Sequence, residues 1–174
     1  MLFRSAADLA REAADACTPE GRPLYAGHAS LPWPDAPHLA LWHAISLLRE
    51  FRGDGHVACL LVEGLDGCEA LVVHGASGEG APSVLQTSRA WPDDEWAAAS
   101  ARLRGRGWID EAGSLTPVGL EVRQRIEDRT DALAVAPWAA LGEDGCERLR
   151  ALVRPWSKAI VASGTFGFRP DPAG

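Results

Sequence analysis

Residues 91–117 restrict the fold more than any other stretch of this chain. Trp91-Pro92 opens a turn, and Pro92 suits the first position of a helix. Asp93, Asp94 and Glu95 then occupy a first turn, where the helix dipole favours anions. Trp96, Ala99 and Leu103 recur at helical spacing, which predicts one buried stripe with the small Ser100 at its border. Gly105 and Gly107 end that helix. Trp108-Ile109-Asp110, Glu111-Ala112-Gly113 and Ser114-Leu115-Thr116 read as a minimal hairpin with a Gly turn. Thr116 is a helix cap, and Pro117 begins a long helix predicted to run to about Ala134. With a short helix over 83–89 in front, the order is helix, turn, helix, small hairpin, long helix.

The remainder reads as further helices. Ala6 to Cys17 is Ala-rich and helical, and Thr18-Pro19-Glu20-Gly21 breaks it. Residues 22–37 contain Pro23, Pro32, Pro34 and Pro37, which predicts an irregular wrapping segment. His38 to Arg52 is helical, with Leu41, Ile45 and Leu48 on one face. Gly53-Asp54-Gly55 reads as a stop and restart, with Asp54 capping a short helix from His56 to Glu63. Cys68 to His74 is a third short helix, and the Gly-rich 75–82 stretch is the best boundary. Pro137-Trp138 interrupts the long helix, and Glu143 to Ala162 forms a final helix that Pro155 should kink. The expected fold class is mainly α, a winged helix-turn-helix with a small β-hairpin wing and additional N-terminal helices. The expected divisions are an N-terminal helical portion (1–75), a winged-helix portion (83–162) and a flexible tail (163–174).

A hydrophobic fraction of 47% over 174 residues suffices for a packed core. No apolar run approaches the roughly 20 residues of a membrane helix, and the first residues turn polar too quickly for a signal peptide. Cys17, Cys59, Cys68 and Cys146 form no C-x-x-C pair, so they read as reduced thiols of a cytoplasmic protein. Lys158 is the lone lysine and Asn is absent, while Ala, Gly, Pro and Arg abound. That bias points to a GC-rich bacterial gene and weakens any argument from Arg counts.

The passage Leu103-Arg104-Gly105-Arg106-Gly107-Trp108-Ile109, followed by Gly113-Ser114-Leu115-Thr116-Pro117-Val118-Gly119, resembles the join of recognition helix, wing and dimerisation helix in MarR-type regulators. Trp138 to Gly145, with Leu149 to Leu152, resembles the break between the last two helices of that family. Trp33-Pro34, His38, Arg52 to Ala58, Gly64 to Gly67, Glu69-Ala70 and His74 resemble an actinobacterial family described as MarR-like helix-turn-helix proteins. Members of that family carry an extra N-terminal region, which implies that this chain is a fragment. The resemblance implies a DNA-binding transcriptional regulator that responds to a small aromatic effector. It also implies a homodimer built from the helices over 117–134 and 143–162.

The chemistry divides over this expectation. The net charge is −7, unusual for a nucleic-acid binder. With Trp96, Ala99 and Leu103 inward, the outward positions are Asp94, Ala98, Ala101 and Gly105, none suited to bidentate base contacts. Between Ser83 and Arg125, six Arg balance six acids. Arg89, Arg102, Arg104 and Arg106 are the candidates for phosphate contact. Trp42, His43, His56, Glu69 and His74 are candidates for a ligand pocket, if the short helices converge. No H-x-x-x-H or H-x-x-E-H spacing supports a metal, no nucleophile has supporting context, and no cofactor or catalytic residue is expected. The seven Trp read first as core and dimer packing, and second as the walls of an aromatic cavity. The alternative function is a winged-helix fold without DNA binding, serving as a small-molecule-binding or protein-interaction module.

Overall fold

The structure, a computed structural model, describes residues 2–164. Of the expected tail over 163–174, Ser163 and Gly164 form a turn, and residues 165–174 lie outside the described residues. Among the described residues eight helices form: α1 (Leu2–Ala14), α2 (Pro23–Ala29), α3 (Pro37–Val62), α4 (Gly67–Ala76), α5 (Pro82–Ser88), α6 (Asp93–Gly105), α7 (Pro117–Ala134) and α8 (Ala136–Ala162). They divide into two compact units, one from residues 1–54 and 134–174, the other from 55–133. The boundary expected near 75–83 falls inside the second unit.

In the first unit α1 packs on α8, through a face of α1 made of Ala6, Ala7, Ala10, Ala13 and Ala14. Side chains this small let two helix backbones approach closely. Leu149, Leu152, Val153 and Trp156 of α8 pack against Ala6, Ala10, Leu41 and Ala44. Phe3 stacks on Trp156, with ring centroids 4.2 Å apart. A second cluster joins Cys17, Tyr25, Leu47, Leu48, Phe51 and Leu141. Burial pushes the Cys17 thiol up to about 11, so it packs as an inert apolar group.

Three predicted features differ. The proline segment contains a helix, because Pro23 falls in the first turn of α2, where a missing N–H costs nothing. Gly53-Asp54-Gly55 does not stop a helix, since α3 runs unbroken through it. Asp54 is buried, and its Oδ2 accepts the Tyr25 amide at 2.9 Å, so it satisfies the first turn of α2 instead of starting a new helix. Arg22 reinforces this junction by donating to the Phe51 carbonyl and lying over the Phe51 ring. In α8 the backbone breaks at Gly142 (φ 72°, ψ 170°), while Pro155 sits within helical geometry.

His43 is the buried polar outlier of this unit. Its ring meets Trp33 edge-on at 4.7 Å, and its Nε2 is buried without a hydrogen-bond partner. Desolvation, with a smaller contribution from His28, holds its pKa below the usual histidine range. Protonation therefore favours the unfolded chain. The protein should be fully stable above the ordinary histidine pKa and lose stability as pH falls from there towards the lowered one. His43→Phe should flatten that acid-side decline, read as melting temperature against pH, and an unchanged decline would assign it to other groups.

In the second unit, Cys59, Leu65, Cys68, Val72, Val73, Ala99, Leu103, Trp108, Ile109, Val122 and Ile126 form one core. α4 packs on α5 and α6. A capping box starts α4: Asp66 Oδ1 accepts the Glu69 amide at 2.7 Å, and Glu69 Oε2 accepts the Asp66 amide at 3.0 Å. Pro92 is the N-cap of α6, not its first helical residue. Thr116 caps α7, accepting the Gly119 amide at 3.1 Å and donating to the Gly107 carbonyl at 2.6 Å. The hairpin expected between α6 and α7 is reduced to one antiparallel bridge, Ile109 with Leu115, and no strand forms among the described residues. α6 ends at Gly105 and α7 begins at Pro117, which leaves too short a segment for more. The Gly113 amide donates to the Asp110 carbonyl at 3.0 Å, and Asp110 Oδ1 takes the Ser114 amide at 2.9 Å.

Candidate nucleic-acid interface

α5 and α6 are the helix pair on which a nucleic-acid reading rests. Ala99 and Leu103 are fully buried, and Trp96 is half-buried against the same core. Asp94, Ala98, Ala101 and Gly105 are exposed, so α6 presents the face expected of it. That face carries no side chain able to read a base edge in bidentate fashion. Its first turn is acidic and uncapped by any side chain. Asp93 Oδ1 accepts from the Gln86 side chain at 2.7 Å, tying the start of α6 to α5.

The four arginines differ in their commitments. Arg89 is the C-cap of α5, exposed and without an ion-pair partner among the described residues. Arg102 reaches to α4, its Nη2 2.6 Å from Asp66 Oδ2 and its Nε 2.7 Å from Glu69 Oε1. Those bonds, the one to Glu69 foremost, raise its pKa further. Arg106 donates to the Gly64 and Glu63 carbonyls at 3.1 and 2.6 Å and lies over the Trp108 ring. It thereby satisfies the carbonyl end of α3, where a cation is favoured. Arg104 stays near the bridge loop, with its Nε 3.3 Å from the Asp110 carbonyl and 3.8 Å from Glu111. Arg89 and Arg104 thus have the looser commitments, while Arg102 and Arg106, though exposed, tie α6 to α4 and to the end of α3.

Sequence reasoning had no signal for these braces. Arg102 and its partners lie 33 and 36 residues apart, and only the fold brings them together. The same holds for Glu63, which receives Arg125 at 2.9 Å and Arg129 at 2.8 Å. The Arg125 hydrogen bond, seconded by Arg129, holds the Glu63 carboxyl below its usual range.

The ligand candidates fall in three places. Trp42 and His43 belong to the first unit, where Trp42 is 73% exposed and His43 is buried. Glu69 is buried under Arg102 beside an open cleft that Leu61, Asp66 and Arg106 also line. His56 and His74 share a cavity of about 280 Å³ with Arg123 and Glu127. There Thr130 Oγ1 donates to the Ile126 carbonyl, so the His56 Nδ1 hydrogen points at Thr130 Oγ1, 3.0 Å away. His74 Nδ1 stands 3.9 Å from Glu79, which Arg123 also binds. No three His, Cys, Asp or Glu residues gather as metal ligands among the described residues.

A model of a helix-turn-helix family matches residues 2–167, nearly the whole chain. The protein belongs to that helix-turn-helix family. No curated protein and no solved structure matches it. The match spans both compact units, so α1, α2 and α8 are part of what defines the helix-turn-helix family here. No helix among the described residues is long and apolar enough to cross a membrane.

Proposed function

We propose that this helix-turn-helix protein is a DNA-binding transcriptional regulator of the MarR-like winged kind, a homodimer whose DNA affinity answers to a small molecule. The observation that carries this reading is the burial pattern of α6. Ala99 and Leu103 anchor the helix while Asp94, Ala98, Ala101 and Gly105 face outward, within a family of helix-turn-helix proteins. In this reading residues 83–162 carry DNA contact and dimerisation, and residues 1–75 frame a ligand site. The loop from Trp108 to Thr116 plays the wing. Arg89 and Arg104 meet phosphate, and Arg102 and Arg106 set the angle of α6. Such contacts position a protein on DNA without specifying sequence. Sequence preference would then come from small contacts of Ala98 and Ala101 and from DNA shape.

A gel shift against the gene's own upstream region at low salt tests the proposal. A retarded band should weaken on the order of a hundredfold as salt rises from about 50 to 200 mM, for about four phosphate contacts per dimer. Arg89→Ala with Arg104→Ala should flatten the log–log salt slope by about 4, since each protomer of the dimer loses two contacts. No band from a folded dimer would favour the other reading, a module that binds a small molecule or a protein instead of DNA. The observation behind that alternative is the acidic opening of α6, with Arg102 neutralised by Asp66 and Glu69.

A further inference from the structure

A mainly apolar cavity lies in the first unit, among α1, α3 and α8. It measures about 500 Å³, within the ordinary range for small-molecule sites. Ala10, Ile45, Leu48, Trp138, Leu149 and Val153 make its apolar wall. Its charged lining residues are Arg49 and Arg52, three apart on one face of α3. An adjoining hollow shares Trp138, Leu149 and Val153 and adds Arg150 as its charged residue. Among the described residues no acidic side chain lines either space, in a chain whose net charge is −7. Ile45 and Trp138 remain 45% and 41% exposed, so the space opens to solvent.

From this segregation we infer that the cavity binds an amphipathic molecule with an apolar body and a single anionic head. The body lies against Leu48, Leu149 and Val153, and the head meets Arg49 and Arg52 at the mouth. Arg49 also bonds Glu50 and Arg52 has a partner of its own, but a guanidinium carries five N–H donors and retains capacity for a second anion. The inference deepens the proposed small-molecule response and rests on that reading for its regulatory consequence, while binding itself is measurable without DNA.

The test is calorimetric titration of the full chain with octanoate, octyl phosphate and 1-octanol. One or both anions should bind saturably and about tenfold more tightly than the alcohol, and whichever anion is tighter identifies the head group. Arg49→Gln with Arg52→Gln should bring anion and alcohol to similar affinity, with circular dichroism confirming an unchanged fold. Ile45→Trp, at the exposed lip, should weaken all three ligands alike. Equal binding of anion and alcohol, no saturable binding, or indifference to the arginine pair would overturn the inference. Saturable anion binding without any gel shift would keep this site and defeat the regulator reading. A gel shift without ligand binding would do the reverse.

Discussion

Gly119→Ala should unfold the second unit or leave it barely folded. A Cβ added at this position would lie 2.0 Å from the Trp108 carbonyl oxygen and 2.9 Å from its carbon. Both atoms are backbone, so no rotamer change relieves the clash. The same carbonyl accepts the Thr116 amide at 3.0 Å, and the Gly119 amide is held by Thr116 Oγ1. Moving Trp108 away therefore breaks the cap of α7 and the bridge loop together. Overpacking alone costs about 1–3 kcal/mol, and a lost cap adds roughly 1 kcal/mol. Chemical denaturation should report a loss of about 2–4 kcal/mol, the sum of those two effects. A melting curve like that of the parent chain would mean that α7 does not start against Trp108 as described.

Leu103→Ala should be comparably damaging. The side chain is fully buried among Val72, Val73, Trp108, Ile109 and their neighbours. Removing it deletes apolar contact and leaves a cavity, a loss of about 2–5 kcal/mol for a buried leucine. In a unit of this size that lowers the melting temperature by more than about 10 °C. Ala98→Ser, on the exposed side of the same helix, should change stability by less than about 0.5 kcal/mol. The pair separates packing from contact. If α6 meets DNA, Ala98→Ser should alter gel-shift affinity in a protein of normal stability, whereas Leu103→Ala should lose affinity through unfolding. Equal stability of the two variants would contradict the burial of Leu103.

Much of α6 and α7 was legible because their signals are local. The acids at 93–95, the spacing of Ala99 and Leu103, the glycines at 105 and 107 and the Thr116-Pro117 start act within a turn or two of themselves. Gly119 stood in the same passage as a letter of a motif, but its reason, the Trp108 carbonyl pressed against it, needed the fold. α3 departs furthest from its local signals. Gly53-Asp54-Gly55 has the composition of a stop, and propensity against helix at each Gly is about 1 kcal/mol. Tertiary contacts outweigh that, because Asp54 is buried where it holds the Tyr25 amide. α2 was missed for a related reason, since a proline is a breaker inside a helix and a good opening residue at its start.

The candidate site divides along the same line. Arg89, Arg102, Arg104 and Arg106 looked equivalent as residues near a turn. Coordinates separate them: Arg102 and Arg106 spend their donors on acids and carbonyls from distant chain positions. The histidines looked like one group, yet Trp42 and His43 fall in a different unit from His56 and His74. Hydrophobic spacing cannot reveal a cavity, since a residue lining one and a residue filling one follow the same period.

By itself, the order of residues determined where helices begin and end around the turn at 89–92 and the loop at 107–116, and which face of α6 turns inward. Caps, breakers and apolar period act between neighbours, so they can be read without coordinates. Only the tertiary structure decided that α3 continues, that α8 bends at Gly142, which arginines are occupied, and where apolar walls leave space. Those outcomes depend on groups dozens of residues apart coming within a few ångströms, and that proximity is a property of packing.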